Sequence, residues 1–518
     1  MYSIIIYISS WLSMARLILA FDVGTTAVKA GLVDASTFEV VAYVQGRNEV
    51  LFPQEGWAEQ NPEDLWHVVS ELSTELGNRD EVVGVVFATQ MAGVLPVDKD
   101  GAPLRRMIIW LDERGRGYPR GLWGGALRVK GYNLFRLMEF IWVTGGAPSA
   151  TGKDPLSKML WLRDNEPDVW SRTYKFLDVK AYLLYRATGV FVTSPDEANL
   201  TWLLDTRRGR AEWNLRLAAR YGVPPEKLPA VKKSVEVAGR LTHEAARELG
   251  LPPDLPVFVG SGDMAAAAVG SGAVGEGEMH IYVGTSDWVA AHVRERRLDL
   301  FHYVGSIHSA IPGAYLLVAE QEVAGAALDK VMELLGVADY GEVERLVSSA
   351  EPGAGGMIFL PWLYGERAPI DDPHVRGGVI NLSLRSGRGQ MLRAVMEGVA
   401  MNIRWAFRYV ERLARFSPEV RVVGGGALSD TWCQILADAL GRVVVRVSQP
   451  RQAVLRGAAA VAALGLGLYS NFINAAARFR VDRRFAPSEN RAVYDKLFNV
   501  FVHLYRILKN NFKSLSLE

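Results

Sequence analysis

The chain has 518 residues, of which 49% are hydrophobic and 22% are charged, and its formal net charge is +1. This length is more than one hydrophobic core usually organises and predicts roughly two to four domains. The balanced charge excludes a basic nucleic-acid footprint and a polybasic membrane patch. The single cysteine, Cys433, excludes an internal disulfide and a cysteine-based metal site, which fits a reducing cytoplasm.

The first segment of the chain is apolar but lacks the features of a targeting signal. No basic segment precedes residues 1–13, and this stretch is too short to span a bilayer. Met14 follows, and a predicted strand begins at residue 16. We therefore predict that residues 1–15 are an extension outside the fold, which an upstream start codon would explain; a membrane anchor is the alternative.

Strand-like and helix-like segments alternate along the rest of the chain, which predicts an α/β architecture. Short apolar runs predict strands at 16–21, 82–88, 93–97, 107–111, 257–260, 357–360 and 420–426. Helical patterning predicts helices at 154–163, 175–188, 264–270, 390–414, 432–440 and 490–511. The Pro-rich links in 207–256 predict a domain boundary at residue 256.

One segment of the chain occurs twice. Residues 22–33 read DVGTTAVKAGLV, and residues 282–293 read YVGTSDWVAAHV. Each copy predicts a hairpin whose Gly-Thr-Thr or Gly-Thr-Ser turn exposes backbone N–H groups, which can bind an anion. Two such turns in a duplicated chain predict two similar domains holding one polyphosphate; a hairpin repeated by chance is the alternative.

Two carboxylates follow predicted strands. Asp22 stands beside the first turn, where a Mg²⁺–nucleotide needs an oxygen ligand, either direct or through water. Asp263 follows Ser261 and Gly262 at the start of a helix of small residues, where a general base could take the proton of a substrate hydroxyl. A turn cap for Asp22 and a helix N-cap for Asp263 are the structural alternatives.

Two further segments stand out. A strand enters the glycine run 424–426 before a helix, which lets a flat ligand lie against the backbone; a generic strand-to-helix turn is the alternative. The segment LPWLYGERAP at 360–369 predicts a rigid loop with an internal Glu366–Arg367 ion pair, and we favour a structural role for it. Trp57 could either line a sugar pocket or pack the core.

Taken together, these segments resemble the FGGY carbohydrate kinase family of the actin-like ATPase superfamily. The resemblance extends from residue 17 to about residue 480, with the motifs in the family's order. They are FDVGTT at 21–26, IIWLDER at 108–114, SATGKDPLSKMLWLRDNEPDVW at 149–170, GSGDMAAAAVGSGAV at 260–274, YVGTS at 282–286, LPWLYGERAP at 360–369 and GGGALSDTWCQILAD at 424–438. The resemblance implies two RNase H-like domains with a cleft between them: a sugar-binding domain at 16–256 and a nucleotide-binding domain at 257–490, followed by a helical tail at 491–518.

The resemblance also implies an activity and site residues. The activity is transfer of the γ-phosphoryl group of ATP to a sugar hydroxyl with Mg²⁺ as cofactor. Asp263 is implied as the catalytic base and Asp22 as the metal-linked carboxylate. The residues implied to bind ATP are Thr25, Thr26, Lys29, Gly284, Thr285, Gly425, Gly426 and Ser429. The residues implied to bind the sugar are Gln90, Met91, Ala92, Asp112, Asp263 and Met264.

Within the family the chain looks most like the xylulokinases, so D-xylulose is the expected substrate and xylulose 5-phosphate the expected product. Their sugar loop is typically Gln-Met-His-Gly, but here Ala92 stands in place of the histidine, and Met264 stands where an asparagine often follows the base. Both changes remove polar groups that would discriminate between sugars. Another sugar or polyol therefore remains an alternative, although the Arg-Glu pair that glycerol kinases carry after Gln90 is missing.

Two other classes of protein are alternatives to a kinase. A non-catalytic sugar- or nucleotide-binding regulator is opposed by the presence of both Asp22 and Asp263. A chaperone-like ATPase is opposed because only a short helical segment follows the last motif. The expected partners are therefore ATP and a small sugar, with no nucleic acid and no membrane. The apolar tail at 493–512 could pack on the fold or form a homodimer contact.

Overall fold

A computed structural model describes residues 5–6, 16–77, 79–414 and 417–515. Two seven-stranded sheets organise these residues. In spatial order, the first sheet consists of Ile5–Ile6, Val40–Arg47, Ala27–Asp34, Leu17–Val23, Val82–Thr89, Pro256–Gly262 and Val237–Arg240. The second sheet consists of Gly305–His308, Tyr315–Gln321, Asp287–Val293, Met279–Val283, Glu419–Val423, Val443–Val447 and Val481–Phe485.

The two sheets share one pattern of strand pairing. Leu17–Val23 pairs antiparallel with Ala27–Asp34, and Met279–Val283 pairs antiparallel with Asp287–Val293 in the same way. The first strand of each hairpin also pairs in parallel with a later strand of its own sheet. The duplicated segment of the sequence is therefore the central hairpin of each sheet, as predicted from the repeat.

The sheets divide later in the chain than the predicted boundary at residue 256. Pro256–Gly262 pairs in parallel with Val82–Thr89 and so belongs to the first sheet. The helix Asp263–Gly270 follows it, and the second sheet begins at Met279. The predicted boundary is wrong for this strand because the Pro-rich links lie within the first domain, before its last parallel strand.

The N-terminal segment is described only at Ile5–Ile6. These two residues pair with Tyr43 and Ala42 at the edge of the first sheet, so the prediction of an extension outside the fold is wrong for them, because the edge strand Val40–Arg47 offers free backbone groups to this apolar segment. The rest of the predicted extension, residues 1–4 and 7–15, lies outside the described residues. Its position outside the fold stays a prediction.

Helices lie between and beside the strands along the described chain. Those up to residue 270 are Pro62–Glu75, Leu134–Thr144, Pro155–Asn165, Pro167–Arg172, Val179–Thr188, Pro195–Leu200, Leu215–Tyr221, His243–Leu249 and Asp263–Gly270. Those after it are Gly325–Leu335, Tyr340–Ser348, Arg388–Ala414, Asp430–Leu440, Ala453–Gly465, Phe472–Ala476 and Arg491–Leu515. Along the described ranges, no helix is both long enough and apolar enough to cross a membrane.

Six two-stranded sheets are also present among the described residues. The pairs are Glu59–Gln60 with Met107–Ile108, Leu95–Val97 with Lys175–Leu177, Arg128–Val129 with Tyr132–Asn133, Val192–Thr193 with Ala230–Val231, Leu204–Asp205 with Glu212–Trp213, and Ile358–Leu360 with Gly378–Ile380. The helix predicted at 175–188 begins later than expected. Its first residues form a strand, and Asp178 caps the helix by accepting the N–H of Ala181.

Two helices of small residues pack against each other between the sheets. Asp263–Gly270 follows a strand of the first sheet, and Ala453–Gly465 follows a strand of the second. A Cβ atom on Gly270 would lie 1.8 Å from the carbonyl oxygen of Ala453, and one on Gly457 would lie 1.8 Å from that of Ala266. Because only glycine fits at both contacts, the two backbones touch. Asp263 therefore lies at the junction between the domains.

The last helix, Arg491–Leu515, packs on the second domain. Tyr494 and Phe501 are fully buried in the core of that domain. The hydroxyl of Tyr494 donates to Glu397 and accepts from Arg393, each at 3.0 Å. Of the two alternatives for the apolar tail, packing on the fold is observed, while a homodimer stays a prediction.

Candidate active site

An ion pair stands at the end of the first hairpin. Asp22 is 5% exposed, and Lys29 is paired with it on the neighbouring strand. The Nζ of Lys29 donates to Asp22 Oδ2 at 2.7 Å. The negative charge of Asp22 raises the pKa of Lys29 above its ordinary value. The pair places a carboxylate that could approach a metal ion beside an ammonium that could approach a phosphate.

The turn of the first hairpin is held from its inner side. Trp110 Nε1 donates to Thr25 Oγ1 at 2.9 Å, and Gln60 Nε2 donates to the carbonyl of Thr25 at 2.8 Å. Thr26 is exposed at the tip of the turn. The structure therefore fixes the shape of the turn while leaving its tip open to the solvent.

The second hairpin has a similar turn. The N–H of Gly284 donates to the carbonyl of Ser286 at 2.9 Å, and Thr285 is exposed. The carbonyl of Gly284 accepts the N–H of Gly325 at 2.8 Å, so the helix Gly325–Leu335 starts directly behind the turn. The two turns have the local geometry expected from the repeat, and phosphate binding by them stays a prediction.

Tyr282 was missed by the sequence analysis. It occupies the position in the second repeat that Asp22 occupies in the first, and its ring stacks on Trp288 with the centroids 4.0 Å apart. Burial raises the pKa of Tyr282, and the nearby charge of Lys29 opposes this shift. The charges of Asp22 and Asp263 also act on it. The alignment of the repeats was the available signal that Tyr282 would face Asp22 across the cleft.

Asp263 is the first residue of the helix Asp263–Gly270. Gly262 holds the N-cap position and has no side chain to cap with, while Asp263 Oδ1 accepts only the adjacent N–H of Met264, at 2.7 Å. The N-cap alternative is therefore not what the structure shows. Burial raises the pKa of Asp263 to about 7, with the negative charge of Asp22 as the second cause. A carboxylate with a pKa near neutrality can accept a proton from a substrate hydroxyl.

The predicted sugar loop lies against the strand of Asp22 and the turn before Asp263. The N–H of Gln90 donates to the carbonyl of Val23 at 2.7 Å, and Gln90 Oε1 is buried with no hydrogen-bond partner among the described residues. A Cβ atom on Gly262 would lie 2.5 Å from the Sδ of Met91. Met264 packs at the edge of the core between the sheets. The structure thus brings four of the predicted sugar-binding residues, including Asp263, to one region.

The fifth residue of this group, Ala92, has a left-handed backbone with φ at 61°. Two buried charged side chains that the sequence analysis missed hold its backbone. The N–H of Ala92 donates to Glu197 Oε2 at 3.4 Å, and its carbonyl accepts from Lys158 Nζ at 3.3 Å. Burial lowers the pKa of Lys158 to about 7 and raises that of Glu197 well above its ordinary value. Lys158 lies in the motif at 149–170, which was recognised without a role for this lysine, whereas the segment around Glu197 carried no distinguishing pattern.

Asp112 is fully buried, and its acceptor sites are occupied. Oδ1 accepts from Arg114 Nε at 2.9 Å, while Oδ2 accepts from Arg114 Nη2 at 2.8 Å and from the N–H of Ala58 at 2.7 Å. The guanidinium of Arg114 lies 3.7 Å from the ring centroid of Trp57. These contacts support an anchoring role for Asp112, so its direct contact with a sugar stays a prediction. Trp57 is half-buried and contacts Arg114 and Trp161, and both alternatives for it, lining a sugar pocket and packing the core, stay predictions.

The three glycines at 424–426 have different surroundings. Gly424 has φ at 95°, and a Cβ atom there would lie 2.4 Å from the carbonyl oxygen of Val283. A Cβ atom on Gly426 would lie 2.5 Å from Val283 Cγ1, whereas one on Gly425 would meet nothing within 4 Å. Gly424 and Gly426 are therefore needed for packing, and Gly425 borders the open space where a flat ligand could lie.

Ser429 caps the helix Asp430–Leu440. Its hydroxyl accepts the N–H of Trp432 at 2.9 Å and donates to Glu344 Oε2 at 2.6 Å. This hydroxyl is already engaged in capping. A contact between Ser429 and a nucleotide stays a prediction.

The segment 360–369 does not contain the predicted internal ion pair. Arg367 pairs with Glu320 and Glu322, the latter at 2.9 Å from Nε, and Glu366 Oε2 accepts from Asn402. Burial raises the pKa of Glu366 to about 7. The prediction fails because the side chains of neighbouring residues diverge, and Arg367 instead ties the loop to the strand Tyr315–Gln321. A structural role is consistent with these contacts.

Asp22 is the carboxylate that we expect to approach a metal ion. In the part of the chain that the structure describes, no group of three or more His, Cys, Asp or Glu side chains could hold a metal ion. This suits Mg²⁺ better than a metal held by the protein alone, because Mg²⁺ is commonly bound through one or two carboxylates and the phosphates of a nucleotide. The contact between Asp22 and such an ion stays a prediction.

Comparison with known proteins agrees with this geometry. The chain matches the models for the N-terminal domain of the FGGY family of carbohydrate kinases over residues 17–270 and for its C-terminal domain over residues 274–466. It is 29% identical to a xylulose kinase of Staphylococcus epidermidis, over 95% of this chain and 97% of that protein. It is 24% identical to a gluconokinase of Bacillus subtilis, over 97% of this chain and 98% of that protein.

The fold also matches a solved structure. The crystal structure of gluconate kinase from Lactobacillus acidophilus aligns with a TM-score of 0.85 at 24% identity, covering 97% of this chain and 100% of that one. This match confirms the predicted two-domain fold of the actin-like ATPase type. The chain therefore belongs to the FGGY family of carbohydrate kinases.

Proposed function

We propose that this kinase transfers the γ-phosphoryl group of ATP to a hydroxyl of a ketose, with D-xylulose as the substrate and Mg²⁺ as the cofactor. The observation that carries the proposal is the position of Asp263. Its carboxylate, with a pKa near neutrality, lies within electrostatic reach of the Asp22–Lys29 pair at the junction of the domains. A base and a phosphate-directed cation are thus present in one cleft.

In the proposed reaction, Asp263 takes the proton of the sugar hydroxyl as its oxygen attacks the γ-phosphorus. A new P–O bond forms, the bond from the γ-phosphorus to the bridging oxygen breaks, and ADP leaves with that electron pair. Lys29 remains positively charged and stabilises negative charge on the transferred group. Mg²⁺ held by Asp22 and the phosphates would neutralise further charge on the nucleotide.

The turns at Thr25–Thr26 and Gly284–Thr285 would hold the phosphates from opposite sides. Their tips are exposed, and each turn is fixed by hydrogen bonds on its inner side. The open space beside Gly425 would take the adenine base. Preformed positions of this kind reduce the entropy lost when nucleotide and sugar are brought together.

Two features support a neutral sugar. The Asp263 carboxylate lies near the sugar loop and, in the ionised form that accepts a proton, would repel an anionic substrate. Gln90 Oε1 is a buried acceptor without a partner in the described chain, and a sugar hydroxyl could donate to it. The similarity to xylulose kinases supports D-xylulose in particular.

D-Gluconate is the second candidate. The similarity to gluconokinases supports it, and Lys158 Nζ beside the carbonyl of Ala92 is a cation that its carboxylate could approach. The pKa of Lys158 near 7 weakens this candidate, because much of the side chain is uncharged under assay conditions at slightly alkaline pH.

The test is ADP production by the purified protein with Mg²⁺-ATP and a panel of D- and L-ketoses, polyols, glycerol and D-gluconate, with a control lacking sugar. A rise with D-xylulose alone supports the proposal. A rise in ADP production with D-gluconate alone supports phosphoryl transfer but identifies D-gluconate, and not D-xylulose, as the substrate. The Asp263→Asn variant serves as the control for contaminating kinases. If no compound stimulates the wild-type protein above that variant, the proposed function is wrong.

A further inference from the structure

A short buried helix, Pro195–Leu200, lies behind both the base and the sugar loop. Asp196 and Glu197 are consecutive on this helix, and both are almost completely buried. Asp196 Oδ2 accepts the N–H of Gly262 at 2.6 Å. Gly262 immediately precedes Asp263 and has no side chain with which to fix its own turn. Asp196 therefore holds the backbone from which the predicted base extends.

The charge of Asp196 is compensated by a buried chain of hydrogen bonds. Lys180 Nζ donates to the hydroxyl of Ser194, which donates to Asp196 Oδ1. Lys180 Nζ lies 4.0 Å from Asp196 Oδ1, and both side chains are fully buried. Because a buried carboxylate is costly unless it is paired and hydrogen-bonded, this arrangement keeps Asp196 in one position.

The next residue holds the sugar loop. Glu197 Oε1 accepts from the hydroxyl of Thr89 at 3.3 Å, and Oε2 accepts the N–H of Ala92 at 3.4 Å. Ala92 is the residue whose left-handed backbone shapes the loop. One helical element thus holds both the turn that carries the base and the loop predicted to carry the sugar.

We propose that Asp196 and Glu197 are positioning residues that together set the distance between the Asp263 carboxylate and the reacting sugar hydroxyl. This inference rests on the proposed function. Neither side chain touches the reacting atoms; each acts through the backbone that it holds. A displacement of about 1 Å in such a site reduces the rate about 100-fold. Asp196 gives the sharper test, because its hydrogen bond is short and has a single backbone donor.

The test compares Asp196→Ala with a matched control, Asp438→Ala. Asp438 is also a buried aspartate whose Oδ1 accepts a backbone N–H at 2.6 Å, that of Ser488, near the far end of the helix Asp430–Leu440. We expect Asp196→Ala to lower kcat about 100-fold with little change in the KM for ATP. Asp438→Ala should lower Tm and leave kcat unchanged. Equal losses of kcat in the two variants would show a general effect of destabilisation and would overturn the inference.

A conservative variant separates geometry from charge. Asp196→Asn, combined with Lys180→Met so that no buried charge is left alone, retains an amide oxygen that can accept from Gly262. We expect this double variant to recover at least about tenfold of the kcat lost in Asp196→Ala. A double variant as slow as Asp196→Ala would contradict positioning through this hydrogen bond.

Hydrogen exchange distinguishes failure of this inference from failure of the proposed function. We expect Asp196→Ala to increase deuterium uptake at the amide of Gly262, and Asp438→Ala to leave it unchanged. If no sugar stimulates the wild-type protein, the proposed function is wrong, and the exchange result alone decides whether Asp196 holds this turn. If the wild type is active while Asp196→Ala has normal kcat or normal exchange at Gly262, only the positioning inference is overturned.

Discussion

Lys29 faces Asp22 across the first hairpin, with its Nζ 2.7 Å from Asp22 Oδ2. The attraction between them raises the pKa of Lys29, so the ammonium stays charged throughout any practical pH range. Without a bound nucleotide, the positive charge of Lys29 and the negative charge of Asp22 neutralise each other. A nucleotide would then compete with Asp22 for Lys29, while a cation could take the place of the ammonium at Asp22.

We expect Lys29→Met to lower kcat about 100-fold or more, because removing one charge-stabilising donor from an active site has an effect of this size. The Asp22 carboxylate would also lose its partner. Steady-state rates of ADP formation measure the change. Lys330→Met is a suitable control, since Lys330 is a half-exposed lysine paired with Glu333 in the second domain. Normal kcat in Lys29→Met would show that Lys29 serves only the fold.

We expect Asp263→Ala to abolish phosphoryl transfer and to leave ATP binding largely intact. In the wild type, the base must be ionised to accept a proton. Because its pKa is raised to about 7, kcat/KM should rise with pH and level off above that value. A pH–rate profile from pH 5 to pH 9 measures this rise of kcat/KM with pH. Near-normal turnover in Asp263→Ala, or a flat profile, would contradict the assignment.

The same pKa predicts a pH-dependent effect on stability. Between the ordinary carboxyl pKa and about 7, the folded protein holds a proton on Asp263 that the unfolded chain releases, so this group lowers the free energy of unfolding as pH rises through that window. Asp263→Asn should therefore be more stable than the wild type at pH 8, and the difference should shrink toward pH 4.5. Urea denaturation at the two pH values provides the measurement. An equal difference in the free energy of unfolding at both pH values would contradict the link between the raised pKa of Asp263 and stability.

We expect Gly425→Trp to weaken ATP binding about tenfold or more with little change in Tm, because the side chain would occupy the open space predicted for adenine. Gly424→Ala is the contrasting variant. It places a Cβ atom 2.4 Å from the carbonyl of Val283 at a left-handed φ, so it should lower the free energy of unfolding by about 1–3 kcal/mol. Calorimetric titration with ATP and thermal unfolding distinguish the two. Unchanged ATP affinity in Gly425→Trp would contradict the placement of the base.

We expect Asp112→Ala to lower the free energy of unfolding by about 3 kcal/mol, because it removes a buried partner of Arg114. Glu59 would remain as the other partner of Arg114, at 2.7 Å. Below the melting temperature of the variant, the KM for the sugar should stay close to that of the wild type. A large rise in this KM without loss of stability would instead show that Asp112 binds the sugar directly.

Features that depend on short stretches of sequence could be predicted. The apolar strands, the two Gly-Thr turns and the start of the helix at Asp263 follow from local periodicity and from the special backbone of glycine, and the structure contains them. The repeat also predicted a hairpin in each of two similar domains, and each large sheet contains one of these hairpins. Recognition of Asp22 and Asp263 as candidates needed only their positions at the ends of strands.

Features that depend on distant contacts could not be predicted in this way. Arg367 was expected to pair with its neighbour Glu366 but reaches Glu320 on another strand and Glu322 just after that strand. The buried Lys158 looks like any lysine on a helix. Its role beside Ala92 arises only when two segments far apart in sequence meet. Side-chain partners of this kind are set by tertiary packing, which a local pattern does not contain.

The glycine contact between the helices Asp263–Gly270 and Ala453–Gly465 joins the two domains through direct backbone contact. Gly270 and Gly457 hold the two backbones so close that a side chain on either residue would force the helices apart. Asp263, the proposed base, is the first residue of one of these helices. A larger residue at Gly270 or Gly457 would therefore also shift the proposed base relative to the second domain, although neither glycine lies in the candidate site.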